Sequence, residues 1–116
     1  MQPDITYGAY ALWTGEWETI FFKYGGKEHS ATFELKQVQS KVTGTSTWDN
    51  GIIDGWQSKT AGVMVATWSE APTYSPPADA GDLELQQSPD GNSFTGKWRY
   101  GSTGPWAGEW NGWRVR

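Results

Sequence analysis

The sequence predicts an all-β protein, a single eight-stranded antiparallel meander closed into a barrel and built from two similar four-stranded halves. Apolar and polar residues alternate with a period of two, turn residues recur at short intervals, and one residue pattern occurs twice. Composition agrees, because nine Trp, five Tyr and four Phe stand beside 15 Gly. Aromatic side chains favour pleated sheets, and glycine favours turns. A two-sheet sandwich of the same strands is the alternative architecture.

The repeated pattern spans most of the 116 residues, which we predict to form one domain, residues 1–116. Residues 33–37 (FELKQ) and 42–44 (VTG) return about 50 positions later as 83–87 (LELQQ) and 94–96 (FTG). In the same order, Trp17 would correspond to Trp68 and Gly55 to Gly108. The two copies run approximately over 9–58 and 62–115. Each copy alone would expose an apolar face and two sheet edges. Pairing the two copies would bury the apolar faces and leave no free edge.

Eight runs with this alternation are predicted as strands. They lie near residues 9–19, 31–38, 41–48, 51–58, 62–71, 81–88, 93–101 and 105–115. Two longer connections, 20–30 and the proline-rich 71–80, join strands 1 to 2 and 5 to 6, so a meander places both at the same end. Loops at a barrel mouth are where ligands usually bind, and we therefore predict the site at that end.

The inward positions of these strands give the expected core. It comprises Trp13, Trp17, Phe33, Leu35, Val42, Val65, Leu83, Leu85, Phe94, Trp98, Trp106 and Trp110. Glycines on the same register, Gly15, Gly44, Gly96 and Gly108, would let neighbouring chains or rings approach closely. About five of the nine Trp are expected in this core, which leaves Trp48, Trp56, Trp68 and Trp113 at strand ends or on a less certain face.

Composition excludes several classes of function. The chain has no cysteine, which removes disulfides, thiolate nucleophiles and cysteine-based zinc sites. A net charge of −4 argues against general nucleic-acid binding, and no apolar run approaches membrane-spanning length. Residues 1–4 (MQPD) do not resemble a signal peptide. The expected location is cytoplasmic if Met1 is the natural start, and secreted or periplasmic if a leader has been removed.

Catalytic signals are sparse. Glu18 and Glu70 each follow a Trp and are expected near the mouth, where a pair of acids would need to converge for acid–base chemistry. The favoured alternative is that both lie on outward registers or rim turns and contact only solvent. His29 is the sole histidine, and no serine lies in a nucleophile elbow. Acids in the turns at 49–54 and 90–92 are too few for a calcium loop. The sequence therefore predicts no catalytic residue, no metal and no cofactor.

Binding residues are easier to suggest than catalytic ones. An exposed Trp at a rim often stacks on a sugar ring, a base or a partner protein. Gln37 and Gln87 match across the repeat at inward strand ends. They would either line a polar pocket floor or hold backbone at the barrel end, and the sequence leaves both alternatives open.

Short motifs resemble those of known families. Residues 15–17 (GEW), 42–45 (VTGT) and 94–98 (FTGKW) resemble strand signatures of avidin-like and lipocalin-like barrels, which implies an up-and-down barrel with a small-ligand site at its mouth. Thr19 and Ser46 stand where avidins carry Asn and Tyr, so biotin is not implied. Residues 94–106 are similar to a segment of tandem-repeat mannan-binding barrel lectins. That resemblance implies sugar-binding roles for Trp106, Glu109 and Arg114.

The sequence thus favours a non-enzymatic module that binds a small molecule or glycan at the barrel mouth or rim. Its candidate binding residues are Trp68, Glu18, Glu70, Tyr74, Gln37, Gln87, Trp106, Glu109, Trp113 and Arg114. One alternative is a structural protein that forms a homo-oligomer through a Trp-rich interface. A second is a lipocalin-like barrel enzyme that uses Glu18, Glu70 or His29.

Overall fold

A computed structural model describes residues 11–116, which form a closed antiparallel barrel of eight strands in sequential order. The strands are β1 (Gly15–Lys23), β2 (His29–Val38), β3 (Lys41–Ser46), β4 (Gly51–Gln57), β5 (Val63–Ser69), β6 (Ala80–Gln87), β7 (Ser93–Trp98) and β8 (Gly108–Arg114). A 3₁₀ turn, Trp48–Asn50, separates β3 from β4. The predicted fold class is confirmed, and pairing of β8 with β1 rules out the sandwich. No helix among the described residues has the length and apolar character needed to cross a membrane.

The first strand lies further along the chain than predicted. Residues 9 and 10 of the predicted strand lie outside the described residues, and β1 runs over Gly15–Lys23. The predicted loop 20–30 is wrong, because Ile20, Phe21 and Phe22 continue the alternation, with Phe21 buried between its two less buried neighbours. The connection that remains is residues 24–28. The last strand is shorter than predicted, since residues 99–107 form a loop before β8.

Most of the predicted core is buried, with two errors. Val65 is half exposed because it alternates with Met64 and Ala66, which point inward. Trp106 lies in the loop before β8, where Lys97 Nζ stands 4.8 Å from its ring centroid and the guanidinium of Arg99 4.7 Å. The core also contains residues that the prediction missed: Phe21, Ala31, Ile53, Met64, Ala66 and Trp68.

Gly44 and Gly96 allow neighbouring strands to approach closely. A Cβ at Gly44 would overlap the carbonyl oxygen of Glu34, and one at Gly96 would overlap the side chain of Leu85. Leu35 pairs with Gly44 just as Leu85 pairs with Gly96, so the two hairpins share a register.

The register differs outside those hairpins. Trp17 pairs with Phe33, whereas Trp68, its expected counterpart, pairs with Gly81. Internal duplication of the chain therefore stays a prediction.

One end of the barrel, hereafter the closed end, is sealed by Trp13. Its backbone N–H donates to Gln37 Oε1 at 2.8 Å, and its indole N–H donates to Gln57 Oε1 at 2.8 Å. Trp17 in turn donates its indole N–H to the carbonyl of Trp13 at 3.0 Å. Trp13 and Trp17 are both fully buried, so the segment before β1 folds back over this end.

Arg114 completes the closed end from β8. Its guanidinium lies 4.2 Å from the centroid of the Trp17 ring and donates to the carbonyls of Leu12, Thr14 and Gly91 at 2.8–2.9 Å. Charge-assisted bonds of this kind are stronger than neutral ones. Burial lowers the pKa of this guanidinium, but its ordinary value is so high that the group stays charged. Arg114 therefore ties the N-terminal segment to the last strand.

Candidate functional site

The opposite end of the barrel, hereafter the mouth, contains a cavity of about 340 Å³. The odd-numbered strands end here. The four connections that follow them therefore all lie at this end: residues 24–28, the 3₁₀ turn, and the loops at 70–79 and 99–107. The cavity is lined by Phe21, Lys23, Gly26, Lys27, His29, Trp48, Asp49, Trp68, Glu70, Trp98, Tyr100 and Trp110. The predicted placement of the β1–β2 and β5–β6 loops at one end is confirmed by the sheet order.

One side of the cavity is a group of rings in contact with one another, the first aromatic wall, made by Phe21, His29, Trp48 and Trp110. Phe21 stacks on Trp110 with centroids 4.4 Å apart and meets Trp48 edge-on at 5.2 Å. His29 lies 4.8 Å from Trp48. Alternation in β1, β2 and β8 turns Phe21, His29 and Trp110 inward, and the 3₁₀ turn carries Trp48 over the edge of the barrel.

A second aromatic wall is contributed by β5 and the end of β7 and consists of Trp68, Trp98 and Tyr100. Trp98 meets Trp68 at 5.9 Å and Tyr100 at 5.1 Å, both edge to face, which is a favoured geometry for ring pairs. Tyr100 follows Trp98 by two positions and so continues its inward register beyond the strand. The cavity therefore has aromatic rings on two sides.

The indole N–H groups of the buried Trp residues in both walls are bonded to the protein. Trp68 donates to the carbonyl of Arg99 at 3.1 Å, and Trp98 donates to that of Phe22 at 3.2 Å. Trp110 donates to the hydroxyl of Thr19 at 2.9 Å. These donors are withdrawn from the cavity, and the three indoles offer it mainly apolar ring surface.

Charged side chains stand at the mouth on two different sides. Lys23 ends β1 and Lys27 lies in the following loop, whereas Asp49 belongs to the 3₁₀ turn and Glu70 follows β5. In a closed sheet of eight strands, β1 and β5 are four strands apart and so lie across the barrel from each other. None of the ion pairs found among residues 11–116 involves these four side chains.

Glu70 has a perturbed pKa. Partial burial, followed by repulsion from Asp49 and then Asp79, raises its pKa from 4.5 to about 7. Asp79 is held close because the backbone N–H of Glu70 donates to its carbonyl at 2.8 Å. The hydroxyl of Thr73 donates to the Asp79 carboxylate at 2.7 Å, which fixes that charge within the loop. Near neutral pH the Glu70 carboxyl is therefore divided between a protonated form, which can donate, and an ionised form, which only accepts.

Only Trp68 and Glu70 among the predicted binding residues line the cavity. Tyr74 lies in the loop at the same end, where its hydroxyl donates to the carbonyl of Asn50 at 3.0 Å. Gln37 and Gln87 lie at the closed end, and both hold backbone: Oε1 of Gln87 accepts from the N–H of Ala11 at 2.9 Å. The structure therefore places neither amide on the floor of the mouth cavity. Arg114 is part of the same closed end.

The other predicted binding residues lie on the outer wall of the barrel or in the loop beside it. Glu18 pairs with Thr32 and Trp113 in the middle of β1 and faces solvent, because its neighbours Trp17 and Thr19 point inward. The expected position of Glu18 near the mouth is therefore wrong, and Glu18 does not converge with Glu70. Trp113 is 49% exposed. Glu109, like Trp113, is on the outer register of β8.

Of the three residues suggested by the lectin resemblance, Arg114 is separated from the other two. Trp106 and Glu109 lie on the outside of the barrel, and Arg114 is at the closed end. Sequence reasoning missed Phe21, Lys23 and Tyr100 as cavity residues. The signal was present for the first two, since they share the inward register of Trp17 once the alternation is followed past residue 19.

No protein-family model matches the chain, and no curated protein or solved structure matches it. The avidin-like, lipocalin-like and mannan-binding resemblances therefore stay expectations drawn from short motifs. Within the described range, no three His, Cys, Asp or Glu side chains are grouped so as to hold a metal ion.

Proposed function

We propose that this chain is a non-enzymatic binding module that takes a small ligand with a ring, either a small molecule or the end of a glycan, into the mouth cavity. The observation that carries the proposal is a cavity of about 340 Å³ with aromatic rings on two sides. Ligand sites in proteins are typically concave, mostly apolar and of roughly 300–1,000 Å³, with a few polar groups that fix orientation. The mouth cavity has this composition.

The division of polar and apolar groups indicates how a ligand would be held. The buried indoles of the walls have their N–H groups bonded to the protein, and so they offer ring surface for stacking. Orientation would then come from the charged side chains at the mouth, Lys23, Lys27, Asp49 and Glu70. A flat heterocycle or the C–H face of a sugar suits such walls, whereas a flexible chain would lose more conformational entropy on binding.

Intrinsic Trp fluorescence, titrated with a panel of oligosaccharides and small ring compounds, tests the proposal. We expect a saturable change with one ligand class. Trp48→Ala should weaken that binding at least tenfold, which corresponds to about 1.4 kcal/mol. Trp113→Ala is the matched control, because Trp113 lies on the outer wall, and it should bind as the wild type does. Equal losses in both variants, or no response to any ligand, would contradict the proposal.

A second candidate function is self-association through the outer wall. Ile52, Trp56 and Val65 lie on the outer face of β4 and β5 and are 47%, 54% and 50% exposed. Trp56 and Val65 are paired across the two strands, so they form a contiguous apolar patch. Such patches often mark protein interfaces. A dimer in sedimentation analysis that Trp56→Ala converts to monomer, together with no response to the ligand panel, would favour this candidate over the binding module.

The enzyme alternative rests on Glu70. A barrel enzyme would need an acid with a raised pKa in a cleft, and burial beside Asp49 gives Glu70 a pKa of about 7. Conversion of a bound ligand to product, abolished in Glu70→Gln, would establish catalysis. Binding without conversion supports the module instead.

A further inference from the structure

We infer that the mouth cavity selects zwitterionic ring compounds, small molecules whose ring carries both an ammonium group and a carboxylate. This inference rests on the proposed function and specifies its ligand class. It follows from the position of unlike charges on opposite sides of an aromatic cavity.

The acidic side of the mouth is formed where the 3₁₀ turn meets the end of β5. Asp49 and Glu70 line the cavity, and Asp79 lies close enough to Glu70 to repel it. Three carboxyl groups therefore concentrate negative charge on this side of the mouth. An ammonium group placed there would relieve the repulsion between them and could also contact the ring faces.

The basic side of the mouth is formed by β1 and the loop that follows it. Lys23 Nζ lies 5.7 Å from the centroid of the Tyr100 ring, so this ammonium group is near the second wall. Lys27 extends from the adjoining loop, and His29 begins β2 beside it. A ligand carboxylate on this side would have two lysines within reach of the same cavity.

Separation of the two sides produces the selectivity. The lysines and carboxylates of the mouth form no ion pair with one another, and Lys23 and Glu70 stand at the ends of strands that lie across the closed sheet. A ligand that fills the cavity displaces water from both sides, and a charge that loses water without gaining a partner is costly. A zwitterion provides a partner for each side, whereas a singly charged ligand leaves one side unpaired.

Isothermal titration calorimetry at pH 7.5 with two matched probe series tests the inference. The first consists of 4-(aminomethyl)benzoate, 4-methylbenzylamine, 4-methylbenzoate and 4-methylbenzyl alcohol, and the second consists of the corresponding compounds with the two groups at positions 1 and 3 of the ring. Each series holds the ring constant and varies the charges. We expect the zwitterion of at least one series to bind at least tenfold more tightly than either singly charged analogue, and the neutral compound to bind most weakly.

Variants assign the two contacts separately. In Glu70→Gln the zwitterion should lose its advantage over the carboxylate analogue, and in the double variant Lys23→Gln, Lys27→Gln it should lose its advantage over the amine. Glu18→Gln and Lys36→Gln are matched controls on the outer wall and should leave all affinities unchanged.

The outcomes separate this inference from the function on which it rests. If neither zwitterion binds more tightly than its singly charged analogues, the inference is wrong. If an oligosaccharide or neutral ring compound binds and Trp48→Ala weakens it, while the zwitterions show no preference, the inference fails and the binding module stands. If no probe in either panel binds, both are wrong.

Discussion

Replacement of Glu70 by glutamine is expected to stabilise the protein in mildly alkaline solution and to leave its stability in acid unchanged. Burial and the neighbouring Asp49 and Asp79 raise the Glu70 pKa from 4.5 to about 7 in the folded protein. Between these two values the folded chain keeps a proton that the unfolded chain has lost, so stability falls as pH rises. Below pH 4.5 both states are protonated, and above pH 7 the penalty is constant.

The size of the effect follows from the two pKa values. The interval from 4.5 to about 7, at about 1.36 kcal/mol for each pKa unit, sets an upper limit of about 3 kcal/mol. Glu70 is only partly buried, and solvent screening reduces such interactions, so we expect a gain of about 1 kcal/mol. Glutamine keeps the shape of the side chain but removes its charge. The gain should therefore appear at pH 8 and be absent at pH 4.

Urea unfolding, followed by Trp fluorescence and circular dichroism, would measure this gain at both pH values. Glu18→Gln is the matched control, because Glu18 is exposed on the outer wall, and it should show no gain that depends on pH. A stability change in Glu70→Gln that is the same at pH 4 and pH 8 would refute the electrostatic reasoning. So would a loss of stability at pH 8.

Three further substitutions test the fold. Arg114→Gln should lower the free energy of unfolding by about 2–3 kcal/mol through three lost charge-assisted bonds. The control Arg116→Gln, whose ion pair with Glu16 is exposed, should change it much less, and equal losses in urea would contradict this. Gly96→Ala should lower the free energy of unfolding, measured by thermal unfolding, by about 1–3 kcal/mol, because the new Cβ would overlap Leu85. Unchanged stability would show that β6 and β7 can move apart without cost. Trp68→Phe should lower the free energy of unfolding in urea by about 1 kcal/mol or more, because the indole N–H bond to Arg99 is lost. Unchanged stability would show that this hydrogen bond does not stabilise the fold.

The error in β1 shows where sequence reasoning failed. The prediction ended the first strand at residue 19 and placed Ile20, Phe21 and Phe22 in a loop, because turn residues follow closely at 24–27. Three consecutive apolar residues do not by themselves show which of them is inward, although the register that starts at Trp17 indicates Phe21. Pairing with β2 and β8 decides it, since Phe21 lies opposite His29 on one side and Trp110 on the other. The same error placed Glu18 near the mouth and removed Lys23 from the candidate site.

Local alternation alone determined that there are eight strands, the inward faces of most of them and the shared end of the β1–β2 and β5–β6 loops, because a period of two relates the faces of neighbouring residues without reference to distant parts of the chain. Tertiary structure decided which end is sealed and which is open. Trp13 bonds to Gln57 and Arg114 to Leu12, and such distant contacts leave no mark in a local pattern. The opposition of Lys23 and Glu70 likewise exists only after β8 pairs with β1, since closure of the sheet is what places β1 and β5 on opposite sides of one cavity.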